Sequence, residues 1–241
     1  MIYQLNLNNI LFLDIETVPA QPDYSGLTEK QKELWEKKMK FSIENEKLDA
    51  NELYKRAGIY AEFGKIICIS VGIFYSKSGK TKFRLKSFYG DDEKILLQNF
   101  IGLLNQSYNK NDYYLCGHNA KEFDLPFIAR RLLVNGIKLP LLLDIAGNKP
   151  WEIKHLDTME LWKFGDYKHY TSLALLTEIF NIPTPKDDID GSDVARVYWE
   201  EKNLNRIVEY CQKDVLAVAQ LFLRYRGEEL ISIEDVEIVA N

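Results

Sequence analysis

The sequence is poor in cysteine. Its 241 residues include only Cys68, Cys116 and Cys211, which lie far apart and form no C-x-x-C pair. An odd number of cysteines without the spacing of a disulfide framework predicts reduced thiols in a cytoplasmic protein. Cys68 and Cys116 lie in apolar, strand-like runs, where we expect them to be core residues.

A secretion signal and a membrane span are also lacking. The start, MIYQLNLNNI, has no basic segment, no sufficient apolar stretch and no small-residue cleavage site. No apolar run reaches the length that crosses a bilayer. We therefore expect a soluble, cytoplasmic protein without a membrane partner.

The third absence is an excess of positive charge. Lys and Arg number 31 against 36 Asp and Glu, for a net charge of -5. A protein that grips duplex nucleic acid by charge alone is usually basic, so this balance argues against a broad non-specific duplex binder. It leaves room for a nucleic-acid enzyme whose positive charge comes from metal ions.

A strand near the N-terminus is followed by a charged segment. Apolar residues 10–13 predict the strand, and a sparse apolar stripe at helical spacing in residues 28–57 predicts two helices that form an insertion. Its lysines would contact a phosphate backbone or form a solvated face, and the interleaved glutamates favour the solvated face. These lysines are Lys30, Lys32, Lys37, Lys38 and Lys40.

The rest of the chain predicts an α/β fold. KIICISVGIFY (65–75) has the continuous apolar character of a strand covered on both faces, and TKFRLKSFY (81–89) alternates like an outer antiparallel strand. A short strand is predicted at 113–117, and helices at 93–106, 124–136, 158–164, 172–180, 193–201 and 204–225. This order predicts a mixed β-sheet with helices on both sides, and a tail after Gly227 that is a terminal strand or a loose end.

Two acidic residues interrupt the first strand. In FLDIETVP, Asp14 and Glu16 follow an apolar run and lie two residues apart, so they point to the same face. Two adjacent like charges at the edge of a core need a compensating positive charge. The alternative is a strand end whose carboxylates point to solvent.

Further polar residues lie at the ends of other buried elements. In GHNAKEFDLPFI, Asn119 and Asp124 stand at a strand-to-helix junction, and Asp124 before Leu-Pro would alternatively be a helix N-cap. In VEYCQKDVLAVAQLF, Tyr210 and Asp214 are four residues apart and share a helix face. Tyr210 would alternatively be a core tyrosine with its hydroxyl at the rim.

A divalent metal is the simplest partner for Asp14, Glu16, Asp124 and Asp214. Ionised, unpaired carboxylates near a core are costly. Mg²⁺ and Mn²⁺ prefer oxygen ligands, and carboxylates with a substrate phosphate form such sites. Two ions about 4 Å apart can activate a water and stabilise a leaving oxygen in phosphodiester cleavage. We expect His118 to be structural, and Asp157 to cap a helix or support the site.

The segments DIET, HNAKEFD and YCQKD resemble the three motifs of the DEDD 3'–5' exonucleases. A tyrosine four residues before the last aspartate resembles the DEDDy branch of that superfamily. The wider run YTSLALLTEIFNIPTPKDDIDGSDVARVYW is similar to predicted exonucleases related to the proofreading domain of family-B DNA polymerases. The resemblance covers residues 11–225.

This resemblance implies an RNase H-like fold, in one exonuclease domain over residues 1–241 with a helical insertion at about 24–60. It implies that Asp14, Glu16 and Asp214 hold a first metal ion, and that Asp14 bridges to a second ion near Asp124. Tyr210 would orient the attacking water. The resemblance further implies that Thr17 and Asn119 hold the terminal nucleotide or its phosphate.

The expected function is a metal-dependent 3'–5' exonuclease with two Mg²⁺ or Mn²⁺ ions. It would act on 3' ends of single-stranded or frayed nucleic acid, with DNA favoured over RNA, alone or as the partner of a replication or repair protein. Two rivals remain open: an inactive nucleic-acid-binding module of the same fold, and an RNase H-like endonuclease, which would not need the spacing of Tyr210 and Asp214.

Overall fold

The structure is a computed structural model that describes residues 2–166, 170–183 and 189–239. Its centre is a β-sheet. Over the described ranges the sheet has six strands, in the spatial order β5-β4-β1-β2-β3-β6. They are β1 (Ile10–Pro19), β2 (Gly64–Lys77), β3 (Lys80–Tyr89), β4 (Tyr114–Gly117), β5 (Leu156–Asp157) and β6 (Val236–Val239).

The predicted mixed sheet is confirmed. The long apolar strand β2 lies antiparallel to both β1 and β3, while β4 is parallel to β1. The short strands β5 and β6 run parallel to β4 and β3. Nearly all of β2 is buried up to Phe74, as expected for a strand covered on both faces.

Helices cover both faces of this sheet, which confirms the α/β expectation. They are α1 (Glu29–Glu46), α2 (Ala50–Tyr54), α3 (Glu93–Ser107), α4 (Asp124–Val134), α5 (Thr158–Lys163), α6 (Leu173–Ile179), α7 (Val194–Trp199) and α8 (Leu204–Tyr225). Leu11 and Leu13 of β1 face the core built with α3 and α4. Phe12 faces the opposite core, built with α8.

The two predicted helices of the insertion form an arm (residues 24–60) between β1 and β2. The arm has its own small core around Trp35, whose ring packs against Tyr54 and Phe63 and whose Nε1 donates to Ala50 O at 2.8 Å. Thr28 and Asp49 cap α1 and α2 through capping boxes. The division of the chain into domains stays a prediction.

Most of the arm lysines form ion pairs with the glutamates of the arm and its surroundings. Lys30, Lys32 and Lys38 pair with Glu33, Glu29 and Glu62 at 2.7, 2.8 and 3.6 Å. Lys40 lies 4.0 Å from Glu44. Four of the five lysines therefore pair with glutamates, as expected for the solvated face that the sequence favours over a phosphate contact.

Two features at the sheet edges differ from the sequence expectation. β3 is not the outer strand, because residues 83–86 pair with β6 on its far side. The tail therefore ends in a strand over Val236–Val239, one of its two expected states. The two-residue strand β5 was not predicted, since Leu156 and Asp157 are too short a run to show alternation.

All three cysteines are buried and free, as the sequence predicts. Cys68 and Cys116 belong to apolar clusters of the core. Among the residues that the structure describes, none of the helices combines the length and apolarity that crossing a bilayer requires.

Candidate functional site

The first two carboxylates come from the middle of β1. Residues of β1 alternate between the two faces of the sheet. Asp14 and Glu16 therefore lie on the same face as Phe12, which is the face that α8 covers. They pair across the sheet with Ser70 and Cys68 of β2. Glu16 is buried, with 7% of its surface exposed, and Asp14 is half-buried. These carboxylates therefore do not point freely to solvent.

Asp124 enters from the neighbouring helix. It is the first residue of α4 and is buried, and its Oδ1 accepts a hydrogen bond from Ile15 N at 3.2 Å. Strand β4 pairs with β1 only up to Phe12. It therefore offers no backbone carbonyl to the Ile15 N–H, and the Asp124 carboxylate takes that place. The alternative that Asp124 is an N-cap is wrong, because Phe123 occupies the cap position and no side chain caps the helix there.

Helix α8 supplies the remaining two residues. Tyr210 and Asp214 lie one turn apart, and the Tyr210 hydroxyl is hydrogen-bonded to the Asp214 carboxylate. The Tyr210 ring packs against the apolar cluster of Val194 and Val197, so its body belongs to the core while its hydroxyl reaches the carboxylates. The two alternatives for this tyrosine are thus compatible.

The carboxylates raise one another's pKa. Burial, followed by the charge of Glu16, raises the pKa of Asp14 well above its usual value, and Asp124 and Asp214 add to the effect. Burial and the charge of Asp214 raise the pKa of Glu16 in the same way. Burial also raises the pKa of Asp124 to about 7, with a contribution from Asp157. These raised pKa values show that negative charge is concentrated at one site between β1, α4 and α8.

Three of these carboxylates have no ion-pair partner in the described part of the chain. Within those residues, no lysine or arginine forms an ion pair with Asp14, Glu16 or Asp124. Neutral groups lie behind them instead: the hydroxyls of Ser70 and Ser87 share a hydrogen bond of 2.9 Å. Asp14, Glu16 and Asp124 therefore have no ion-pair partner among the described residues, and buried charge without one is costly.

Asn119 lies in the turn that connects β4 to α4. It has a left-handed backbone (φ 59), and its N–H donates to Asp157 Oδ1 at 2.9 Å. The turn lies against β1: a Cβ on Gly117 would come within 3.0 Å of Leu13 O. The side-chain oxygen Oδ1 of Asn119 is buried and has no hydrogen-bond partner among the described residues. A buried acceptor without a donor in the chain is available to a ligand or a water that supplies one.

Two structural expectations near this turn are confirmed. His118 has both ring nitrogens engaged, with Thr158 Oγ1 at 2.9 Å and with Thr171 O at 2.8 Å. Asp157 caps α5 by accepting from Met159 N at 2.9 Å. Because Asp157 also accepts from Asn119 N and from Lys121 N, it holds the turn that carries Asn119.

Thr17 lies beside an irregularity of the sheet. The pairing of β1 with β2 shifts between Glu16 and Thr17, so Ile67 is an extra residue in β2. Glu16 and Thr17 line a cleft of about 600 Å³, whose other walls include Lys55 and Ile59 of the arm and Phe123. We call it the β1 cleft. It opens directly beside the carboxylates.

Cys211 is a member of the site that the sequence interpretation assigned no role. Its Sγ donates to Asp14 Oδ2 at 3.3 Å, and the ligand atoms of Asp14, Glu16 and Cys211 lie within 4.8 Å of one another. The signal was present, because Cys211 is three residues before Asp214 and therefore shares its face of the helix. Burial raises the pKa of this thiol well above its usual value, so it is a neutral donor.

The residues of the site fit a hard divalent metal. Several carboxylate oxygens without a cationic side chain among the described residues form the kind of donor set that Mg²⁺ and Mn²⁺ prefer. The single thiol is engaged as a donor to one of those carboxylates. The unpartnered oxygen of Asn119, in the turn that leads to Asp124, is a further free acceptor.

A six-stranded mixed sheet with helices on both faces, and acidic residues gathered at β1, defines an RNase H-like protein with the architecture of a polymerase exonuclease domain. Residues 59–231 match the model of a family described as predicted 3'-5' exonucleases related to the exonuclease domain of PolB. The chain belongs to this family. The match includes Asp124, Tyr210 and Asp214, and it begins after the strand that carries Asp14 and Glu16.

A DNA polymerase of Pyrococcus glycovorans is also similar. It is 23% identical over an alignment of 155 residues that covers 59% of this chain. The aligned segment is 19% of the polymerase, so the chain spans a small part of that relative.

Proposed function

We propose that this protein is a metal-dependent 3'–5' exonuclease, which hydrolyses phosphodiester bonds from the 3' end of single-stranded or frayed nucleic acid. One observation carries the proposal. Carboxylates from β1, α4 and α8 converge and raise one another's pKa, and no described lysine or arginine pairs with Asp14, Glu16 or Asp124.

The roles of the carboxylates follow from their positions. Asp14, Glu16 and Asp214 would hold a first divalent ion, and Asp14 would share a second with Asp124. When bound, the ions would supply the positive charge that activates water and stabilises charge on the phosphate. The chain's part is to hold the carboxylates. The Cys211 thiol fixes Asp14, and the Ile15 N–H fixes Asp124.

Tyr210 would position the attacking water. Burial and the charge of Asp214 raise the pKa of its phenol, so the hydroxyl stays protonated at neutral pH. A protonated phenol does not act as a general base, but it orients a water by a hydrogen bond. The packed ring holds the hydroxyl in place for this task.

The β1 cleft is the proposed site of the terminal nucleotide. Thr17 is half-buried in its wall, and Asn119 offers an unused acceptor in the adjoining turn. Sugar hydroxyls and base amino groups are donors that such an oxygen can bind. Because the relative is a DNA polymerase, we propose single-stranded DNA before RNA, and a replication or repair protein as a partner.

Matched 5'-labelled DNA and RNA strands, incubated with a titration of Mn²⁺ or Mg²⁺, test the proposal. The expected result is a ladder of products shortened from the 3' end, which appears only with metal. Asp14→Asn should abolish the ladder.

The other outcomes separate the rivals. Internal cuts without shortening would establish an endonuclease. Binding without cleavage under every metal condition would establish an inactive nucleic-acid-binding module. Faster loss of the RNA strand would reverse the proposed preference for DNA.

A further inference from the structure

A second cavity continues the β1 cleft away from the carboxylates. It has a volume of about 560 Å³ and shares Pro19, Lys55, Ser192 and Ala195 with the β1 cleft. Its far end is formed by Tyr24 of the arm and Trp199 of α7. Together the two cavities form one groove between the arm and α7, which we call the arm groove. It begins at Glu16 and Thr17.

The arm is held firmly against β1 where the groove begins. Gly58 allows this contact, because a Cβ there would lie 3.2 Å from the Val18 backbone. The Tyr54 hydroxyl accepts a hydrogen bond from Gln21 N at 3.3 Å. Lys55 lies between Tyr54 and Gly58, so its backbone has a fixed position in the groove wall.

The charges of the arm single out Lys55. Arg56, its neighbour, pairs with Glu46 at 2.6 Å, and most arm lysines pair with glutamates. Among the described residues, Lys55 has no ion pair or hydrogen bond for its ammonium group, although it lines both cavities of the groove. A free, solvated ammonium beside a site for phosphodiester cleavage is suited to a phosphate.

The far end of the groove carries the Trp199 ring and side chains of both charges, namely Asp23, Glu200 and Arg196. The Trp199 indole donates to Pro19 O at 3.1 Å, which fixes the ring at the rim. The ammonium groups of Lys65 and Lys202 each lie 5.0 Å from that ring's centroid. Those two lysines line a neighbouring cavity with Asp91. Among the described residues, Lys55 is therefore the cation of the groove lining that has no ion pair.

We propose that the arm groove is the path of a single nucleic-acid strand, and that Lys55 contacts one of its backbone phosphates. The inference rests on the proposed exonuclease function, because the groove leads to that site. The arm therefore serves as one wall of the substrate channel.

The test is the salt dependence of degradation of a 15-residue oligothymidylate, measured as kcat/KM with Mn²⁺ for wild type and Lys55→Ala. Each phosphate contact to a single strand contributes about -0.7 to the slope of log affinity against log salt. Lys55→Ala should therefore reduce the slope by about 0.7, or about 2.6-fold between 50 and 200 mM salt. KM should rise while kcat at saturation stays within about twofold.

Lys37→Ala is the matched control, because Lys37 is an exposed arm lysine without a partner among the described residues, and it does not line the groove. It should keep the wild-type slope, as should Lys55→Arg. Equal slopes for Lys55→Ala, Lys37→Ala and wild type would overturn the inference and leave the exonuclease intact. If wild type degrades no strand, the proposed function itself fails.

Discussion

Asp124 offers the sharpest test of the site, because the structure gives its carboxylate two separate tasks. Oδ1 accepts the buried Ile15 N–H, and the proposed function requires the negative charge. Asp124→Asn keeps an acceptor oxygen at this place and removes only the charge. Asp124→Ala removes both. The two variants should therefore separate stability from cleavage.

The magnitudes follow from the hydrogen bond. A buried N–H left without an acceptor costs about 1–3 kcal/mol. For a chain of this size, 1 kcal/mol shifts the melting temperature by roughly 2–4 °C. Both variants remove the charge, so Asp124→Ala should melt roughly 2–12 °C below Asp124→Asn, which keeps the acceptor. Both should lose orders of magnitude in cleavage rate, since both lack a proposed metal ligand.

The pH dependence gives a further handle on the same residue. Burial raises the Asp124 pKa from 3.8 to about 7, so the metal-free folded state holds this proton more tightly than the unfolded chain does. The free energy of unfolding should therefore fall as pH rises from about 4 through 7. Asp124→Asn removes this contribution, so it should gain stability relative to wild type between pH 5 and pH 8 in EDTA.

The measurements are thermal melts in EDTA and single-turnover degradation with saturating Mn²⁺. Glu122 provides the control, because it is an exposed carboxylate of the same turn. Glu122→Gln and Glu122→Ala should match wild type in both assays. An Asp124→Asn protein with near-normal cleavage would refute the four-carboxylate model. An Asp124→Ala protein as stable as Asp124→Asn would refute the role of the Ile15 hydrogen bond.

Three further predictions concern the other residues of the site. Mn²⁺ at 100 times its Kd should add about 2.7 kcal/mol and raise the wild-type melting temperature by roughly 5–10 °C; equal shifts in Asp14→Asn would contradict a shared site. Tyr210→Phe should slow single-turnover cleavage by about 10²-fold, the lower end of the roughly 10²–10⁴-fold effect of positioned proton-handling groups. Its binding of Mn²⁺ and of oligonucleotide should stay normal. Asp214→Asn should cost far more, and a Phe variant as fast as wild type would return Tyr210 to the core. Cys211→Ala should weaken Mn²⁺ binding about 10–100-fold, because Asp14 loses the hydrogen bond that orients it. Cys211→Ser keeps a donor and is the control, which should bind Mn²⁺ more tightly than Cys211→Ala. An unchanged Mn²⁺ affinity of Cys211→Ala, measured by calorimetry, would exclude this role.

The sequence predicted the main elements well where the apolar pattern was long. Helix α8 has 22 residues and a marked apolar face, and its predicted bounds agree with the structure. β2 is also long and almost entirely apolar. Local periodicity was sufficient in both cases, because burial of one face decides the conformation of such a segment.

Short pairings could not be predicted in this way. β5 has two residues and β6 has four, and each is stabilised by a neighbouring strand that is distant in the chain. Phe83 pairs with Val236 across about 150 residues. Neither partner carries a signal for the other, so the position of β3 inside the sheet had no local signature.

The site shows the same division between local and distant information. The spacing of Asp14 with Glu16, and of Tyr210 with Asp214, follows from strand and helix geometry. The hydrogen bond from Ile15 to Asp124 spans 109 residues, and it depends on where β4 stops. Chain pattern alone therefore pointed to the acidic residues, and its alternative of a helix cap at Asp124 did not anticipate the hydrogen bond to Ile15.

The placement of these carboxylates runs against the stability of the metal-free fold. Buried like charges raise one another's pKa, and each ionisation costs free energy that an apolar residue would not. The hydrogen bonds from the Cys211 thiol and the Ile15 N–H lower the pKa of Asp14 and Asp124 only in part, because burial and the neighbouring charges outweigh them. A core selected for stability alone would not keep this arrangement, because neutral substitutions would improve it. Sites where local rules fail without structural compensation are those where function is expected. Among the described residues, no lysine or arginine pairs with Asp14, Glu16 or Asp124. The repulsion is thus itself an argument for the proposal that a bound cation completes the site.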